Sequence, residues 1–321
     1  EQIKIKFALS PVSSNGALLN LTEEIPHWDF ERTKKETQEK WNNELSKIVI
    51  ETSTTQQKRT FYSALYHTML GPIIYEDVDG SYRGLDQNIH QSADFTNYTI
   101  FSLWDTYRAL HPLFNILQPE RNNDMIKSML AHHDQSVHQM LPVWSHYANE
   151  NWCMIGYHSV SAIADAVAKK TTDVKLDRVL QACENTSTLP YFDGLDSYMQ
   201  RGYVPEDLSS SSVSKTLEFA YDDWCIAQIA KAAGNEQVFL KYENRSKNYI
   251  NVYDSTSGYM RPKLANGKWR SNFDPIDTHG QGFIEGNAWN YGLYVPQDVP
   301  AMIEIMGGKK KFVQHLDTIF N

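Results

Sequence analysis

Apolar and polar positions change rhythm near residue 28. Before it, Ile3, Ile5 and Phe7 alternate with Lys4 and Lys6, the period of a half-buried strand, which ends at a Pro11-Val12-Ser13-Ser14-Asn15-Gly16 turn cluster. From Trp28 onward the spacing is helical. Phe30 to Ile48, Phe61 to Leu70, Leu103 to Leu117, Asn122 to Leu141, Ile155 to Lys169, Val174 to Cys183, Val213 to Ala233, Glu236 to Val252 and Val299 to Phe320 read as helices or helix pairs. Within Asn122 to Leu141, Met125, Met129, Val137 and Met140 mark one apolar face, with His132, His133, Asp134 and Gln135 largely off it. The chain is therefore predicted to be mainly α. Three connections, Gly71 to Ile100, Thr186 to Ser212 and Asp254 to Asn287, are long, aromatic and acidic with little periodicity. Loops of that length in a compact domain tend to be functional, so the pattern predicts an α/α arrangement whose loops build a site at one end.

Composition narrows the function classes. With 41% hydrophobic and 21% charged residues over 321 positions, the chain can bury a large core. Its net charge is −9, and its one basic cluster is Lys309-Lys310-Lys311, which disfavours nucleic acid as a partner because phosphate neutralisation needs clustered cations. No membrane span is expected, since the longest apolar stretches, such as Ile155 to Ala168, are interrupted by Gly, His, Ser and Asp. Cys153, Cys183 and Cys225 are too few and too scattered for a disulfide framework or a zinc ribbon. The chain opens with neither Met nor an apolar signal core, a start resembling the middle of a longer polypeptide.

Several constellations carry polar chemistry, each with a structural alternative beside it. The 8 Trp and 18 Tyr suit the C–H faces of sugars, and equally anchor ordinary cores. Asp105 sits near the first turn of a helix, favoured there by the helix dipole; Arg108, one turn on, is placed to pair with it or to join it in binding a hydroxylated ligand beside Trp104. Glu150 and His158 bracket Trp152 and Tyr157 at a helix entrance, where His158 is a ligand contact or a satisfied structural residue. Glu218 and Asp222 share a helix face at i,i+4, a repulsive spacing unless basic groups or hydroxyls hold them, and Lys215 is the nearest local counter-charge. Glu285 lies between Phe283-Ile284 and Gly286-Asn287-Ala288-Trp289. An apolar setting there would raise its pKa toward that of a general acid, the alternative being a hydrogen-bonded structural carboxylate. Tyr75 to Gly80 aligns poorly with an EF-hand loop, and His132, His133 and His138 do not share a helix face, so no metal ligand is assigned.

Taken together, the segments resemble the glycoside hydrolase family 92 α-mannosidases. The resemblance runs through Asn20-Leu21 with Glu24-Ile25 and Trp28-Asp29-Phe30, Trp41-Asn42 with Glu44-Leu45, and Ala64-Leu65-Tyr66-His67-Thr68. It continues in Asp77-Val78-Asp79-Gly80 with Tyr82-Arg83-Gly84, Leu103 to Arg108, Cys153 to His158, Thr216-Leu217-Glu218 with Asp222-Asp223-Trp224, and Glu285-Gly286-Asn287-Ala288-Trp289. It implies a mainly α fold, an incomplete (α/α)6 toroid preceded by the last part of an N-terminal β-sandwich. Residues 1–25 would end the sandwich, 26–48 form a linker helix, and 49–321 make most of the catalytic domain. The implied activity is calcium-dependent, inverting release of terminal α-linked mannose, α-1,2 above all, from mannose-containing glycans, by a protein exported to the periplasm or cell surface.

By the same resemblance Glu285 is the general acid, and Trp104 and Asp105 line the pocket of the terminal mannose. Arg108, Glu150, His158, Glu218, Asp222 and Trp289 are expected in or near that pocket. Asn290 stands where the family suggests Gln, and Gln297 where His is common, departures that bear on subsite detail. The family's base motif, Gly-Asn-Asp, and its calcium-site motif, Gly-Asn-Glu-Pro, do not occur between Tyr291 and Asn321. The expectation is a fragment that holds the acid without the base and is inactive alone, with the base and the Ca2+ ligands beyond residue 321. The competing expectations are a non-catalytic glycan-binding helical domain and a toroid glycosidase acting on another sugar. No pattern indicates an oligomeric state.

Overall fold

The computed structural model describes residues 3–320. Its helices are α1 (Ser14–Glu24), α2 (Phe30–Leu45), α3 (Thr55–Thr68), α4 (Leu103–Thr106), α5 (Leu110–Leu117), α6 (Pro119–Gln135) and α7 (Ser159–Lys169). There follow α8 (Leu176–Ser187), α9 (Leu195–Arg201), α10 (Ser212–Ala232), α11 (Glu236–Arg245), α12 (Ala288–Tyr291), α13 (Val299–Ile305) and α14 (Lys309–Phe320). Local chemistry sets many of their starts. Ser13, Asp29, Thr54 and Asn235 each accept a hydrogen bond from a backbone N–H of the first turn they precede, and Pro119 opens α6 where its missing N–H costs nothing. The strands are short antiparallel pairs: Ile73–Ile74 with Tyr98–Thr99, Ser81–Arg83 with Ile89–Gln91, Ser145–His146 with Asn149–Glu150, and Tyr253–Asp254 with Tyr259–Met260.

Connections alternate in length. Gln118 alone joins α5 to α6, residues 170–175 join α7 to α8, and residues 233–235 join α10 to α11. The opposite links, 136–158, 188–211 and 246–287, are long, and they touch one another. His138 Nδ1 lies 2.7 Å from the Tyr191 hydroxyl and Arg270 Nη1 3.2 Å from Glu206. The long loops thus gather at one end of the helix layer.

Two apolar clusters share α10 as their common wall. Phe219, Cys225, Ile226 and Ile229 join the cluster built with α5 to α8 and α11, while Val213, Leu217 and Ala220 pack with Tyr249, Val252, Phe283 and Val295. A helix buried on all sides has no solvent face on which to leave a charge, so every charged residue along its middle needs a partner.

Several expectations change. Residues 3–13 carry no regular element, and Ile3, Ile5, Phe7 and Leu9 are exposed; alternation makes a strand only where a neighbour takes up its backbone hydrogen bonds. The turn cluster ends early, because Ser13 caps a helix across residues 14–24. Helix α6 stops at Gln135, where the Ser136 N–H closes onto the His132 carbonyl at 2.9 Å. His132 and His133 are consequently buried and Val137 is 88% exposed, the reverse of the expected faces.

Candidate active site

Three buried carboxylates project from α10: Glu218, Asp222 and Asp223. The first two meet His158, the N-cap residue of α7, whose Nδ1 lies 2.8 Å from Asp222 and whose Nε2 lies 2.7 Å from Glu218. The Nδ1 contact is a hydrogen bond; the Nε2 contact is a close ion pair off the direction of the N–H. Asp222 also accepts from the Tyr157 N–H at 2.8 Å. Gly156 permits this approach, since its φ of +80° suits glycine and a Cβ there would run into the His158 ring. Burial alone would lower the His158 pKa, but the Asp222 and Glu218 carboxylates outweigh it and hold the imidazole up at about 9. An imidazolium there neutralises the i,i+4 repulsion on α10. Lys215, the expected counter-charge, turns away to Asp193 and Ser209.

Glu218 is the most connected member of the group. Arg108 Nη2 lies 3.3 Å from it, the Tyr107 hydroxyl donates at 3.3 Å, and the Tyr291 hydroxyl donates to it as well. Burial would raise the Glu218 pKa, yet His158, Tyr291 and Arg108 together bring it below the ordinary glutamate value. The Tyr107 ring stacks on His158 with centroids 4.0 Å apart, and Arg108 lies over the rings of Trp104 at 4.6 Å and Tyr107 at 4.8 Å. Arg108 therefore pairs across the fold with Glu218, while Asp105 accepts a hydrogen bond from Ser102 and stays exposed at the first turn of α4. The half-buried Trp104 indole shares the cation with Glu218.

Glu285 is exposed, on a turn at the loop-rich end, and has φ +47°. The enclosed apolar setting suggested by Phe283-Ile284 is absent because Phe283 turns into the core and leaves the carboxylate outside. Asn287 caps α12 and exchanges hydrogen bonds with Asn290 in a capping box. Trp289, half-buried, packs its ring against Tyr259 and His315. Glu150 has a different part. Its oxygens accept from the backbone N–H groups of Val143, Trp144 and Trp152 at 2.8–3.0 Å, so it staples its own loop.

Of the residues expected in the site, Trp104, Arg108, His158, Glu218 and Asp222 come together, whereas Asp105, Glu150, Trp289 and Glu285 lie outside that buried network. Sequence reasoning missed Tyr107, Tyr291 and Tyr294, whose hydroxyls complete it. The signal available was Tyr291 and Tyr294, three residues apart just after the Glu285 motif. Among the described residues no group of three or more His, Cys, Asp or Glu side chains is placed to hold a metal ion.

This assembly of helices, loop-end carboxylates and aromatic residues matches a known class of glycoside-cleaving domains. Residues 16–321 match the glycosyl hydrolase family 92 catalytic domain, and the chain belongs to that family. A family 92 α-mannosidase from Bacteroides thetaiotaomicron superposes with a TM-score of 0.94 at 45% identity over 97% of this chain. The complex of that enzyme with mannoimidazole superposes with a TM-score of 0.92. A family 92 inverting mannosidase from the same organism gives 0.90 at 33% identity over 96% of the chain. A curated relative from Arthroderma benhamiae, called an uncharacterized secreted glycosidase, is 25% identical over 98% of the chain. The chain spans 42% of the length of that relative and 42% of each of those two mannosidases. Among the described residues no helix is long and apolar enough to cross a membrane.

Proposed function

We propose that the polypeptide carrying this chain is an inverting exo-α-mannosidase that removes terminal α-linked mannose, above all α-1,2-linked, from mannose-containing glycans. The observation that carries this reading is the Glu285 turn, an exposed carboxylate at the loop-rich end, fixed to α10 on the same side as the Trp104–Arg108 segment. A general acid must reach the leaving-group oxygen, and an exposed carboxylate on an ordered turn can do so. In this reading Glu285 gives its proton to the glycosidic oxygen, while Trp104 and Asp105 border the sugar. The similarity to two bacterial mannosidases, one of them in complex with mannoimidazole, supports a mannose-type ligand.

Inversion needs a second carboxylate roughly 6.5–9.5 Å from the acid, with a water between. No residue of this chain is assigned as that base or as a ligand of the proposed Ca2+. Among the described residues no three His, Cys, Asp or Glu side chains are grouped to hold an ion, and no step here runs through it. The paired helices and alternating links support reading residues 49–321 as part of an (α/α)6 toroid, with 26–48 as linker; residues 3–24, which hold no strand, lend no support to a sandwich edge. Export to the periplasm or cell surface accords with the secreted relative.

The test is mannose release from α-1,2-mannobiose by the longest natural polypeptide containing these residues, with calcium and with excess chelator. Release that the chelator abolishes is expected, and Glu285→Gln should lower it by about 10²–10⁴-fold. No release under either condition would overturn the mannosidase reading.

A further inference from the structure

The segment that carries Glu285 is tied to α10 on both sides. Before it, the Gly282 carbonyl accepts from the Val213 and Ser214 N–H groups at 2.9 and 3.2 Å, and the Ile284 N–H donates to the Ser214 hydroxyl at 3.1 Å. After it, the one-turn helix α12, closed by the Asn287–Asn290 capping box, brings Tyr291 round to Glu218. Ser214 and Glu218 are one helical turn apart, on the same face of α10. Between the two ties Glu285 itself has φ +47°. A residue with a Cβ is strained in that region and keeps it only where its surroundings over-determine the backbone.

We infer that Glu218 is a positioning residue for the proposed acid: with Ser214 it clamps the Glu285 turn to α10, acting through the Tyr291 hydroxyl. This rests on the reading of Glu285 as general acid. An ionised acceptor makes the tie stronger than a neutral one would, and the His158 and Arg108 cations supply the charge balance that lets Glu218 stay ionised inside the fold. The same carboxylate also holds Arg108, whose guanidinium lies over Trp104. One buried group therefore sets the acid-bearing turn and the Trp104 side of the pocket in a single frame.

The test uses Tyr291→Phe and Ser214→Ala in the longest natural polypeptide containing these residues, with two α-mannosides, one with a poor leaving group and one activated enough to depart without protonation. Misplacing an acid harms only the substrate that needs the proton. For Tyr291→Phe, kcat on the poor leaving group should fall at least about ten-fold more than on the activated one, with the Ser214→Ala bias smaller and of the same sign. Glu218→Gln, which keeps an acceptor without the charge, should retain part of what Tyr291→Phe loses. A second readout is the fluorine resonance of Trp289 in 5-fluorotryptophan protein, which should shift in both Tyr291→Phe and Ser214→Ala. Equal losses on the two substrates, or an unshifted Trp289 resonance in both variants, would overturn the clamp. If the unaltered protein turns over neither substrate, the mannosidase reading falls, and the clamp stands or falls on the resonance alone.

Discussion

Glu218 and Asp223 lie on the same buried helix, each held by a cation and by tyrosine hydroxyls, and they do opposite work. Asp223 takes a two-point contact from Arg245, Nε at 3.0 Å and Nη2 at 3.0 Å, with the Tyr198 and Tyr157 hydroxyls at 2.8 and 2.9 Å. Arg245 continues to the Ser187 carbonyl at 3.1 Å and lies over the Tyr242 ring at 5.0 Å. This set joins α8, α9, α10 and α11. Glu218 instead reaches Arg108 and Tyr291, which belong to the segments around Trp104 and Glu285. The Arg108 side chain is 37% exposed against 13% for Arg245. One chemistry therefore serves twice: sealed, it staples the helix layer, and opened toward the loop-rich end, it aims side chains.

Breaking the sealed set should have the largest effect on stability. Asp223→Ala leaves Arg245 buried without its partner, and urea unfolding should lose about 3–5 kcal/mol. A loss below about 1 kcal/mol would mean that Arg245 finds water and that the set is not sealed. Next comes the pH dependence of the open set, where Asp222, Glu218 and Tyr107 face His158 and Arg108 shares Glu218 with it. The His158 pKa rises from 6.5 to about 9 on folding, so the folded state binds the extra proton between those values. Its stabilisation is complete below pH 6.5 and is lost as pH rises through 9, a fall of about 3 kcal/mol. Unfolding free energies at pH 6 and 9.5 measure it, and the fall should vanish in His158→Gln.

The sealed and open sets were unequally legible in the sequence. Helix α10 itself was readable almost to the residue, Val213 to Ala233 against the observed Ser212–Ala232, because its apolar residues, Leu217, Phe219, Ile226 and Ile229 among them, recur without a break. The Glu218–Asp222 repulsion was readable too, and so was its need for a counter-charge. The identity of that counter-charge was not, since His158 stands far away in the sequence and local spacing favours Lys215. Glu285 was singled out by its motif, but the apolar setting suggested by its neighbours is absent, as a turn with positive φ sends adjacent side chains in directions that a linear pattern does not encode. The strand expected at Ile3 to Phe7 failed for a related reason, because alternation gives a side-chain pattern while pairing needs a neighbour.

The smallest expected effect separates the two sets most sharply. Tyr198→Phe removes one hydroxyl from Asp223 and leaves its Arg245 and Tyr157 contacts in place. A hydrogen bond to a charged group with other donors still present should cost about 1–2 kcal/mol in urea unfolding. Tyr291→Phe is the matching change on Glu218, which likewise keeps its other partners. If α10 staples on one side and aims on the other, Tyr198→Phe should change kcat on poor and activated leaving groups by the same factor, in contrast to Tyr291→Phe. A leaving-group bias in Tyr198→Phe would mean that the helix transmits strain from Asp223 to Glu218, and the division between sealed and open sets would then be lost.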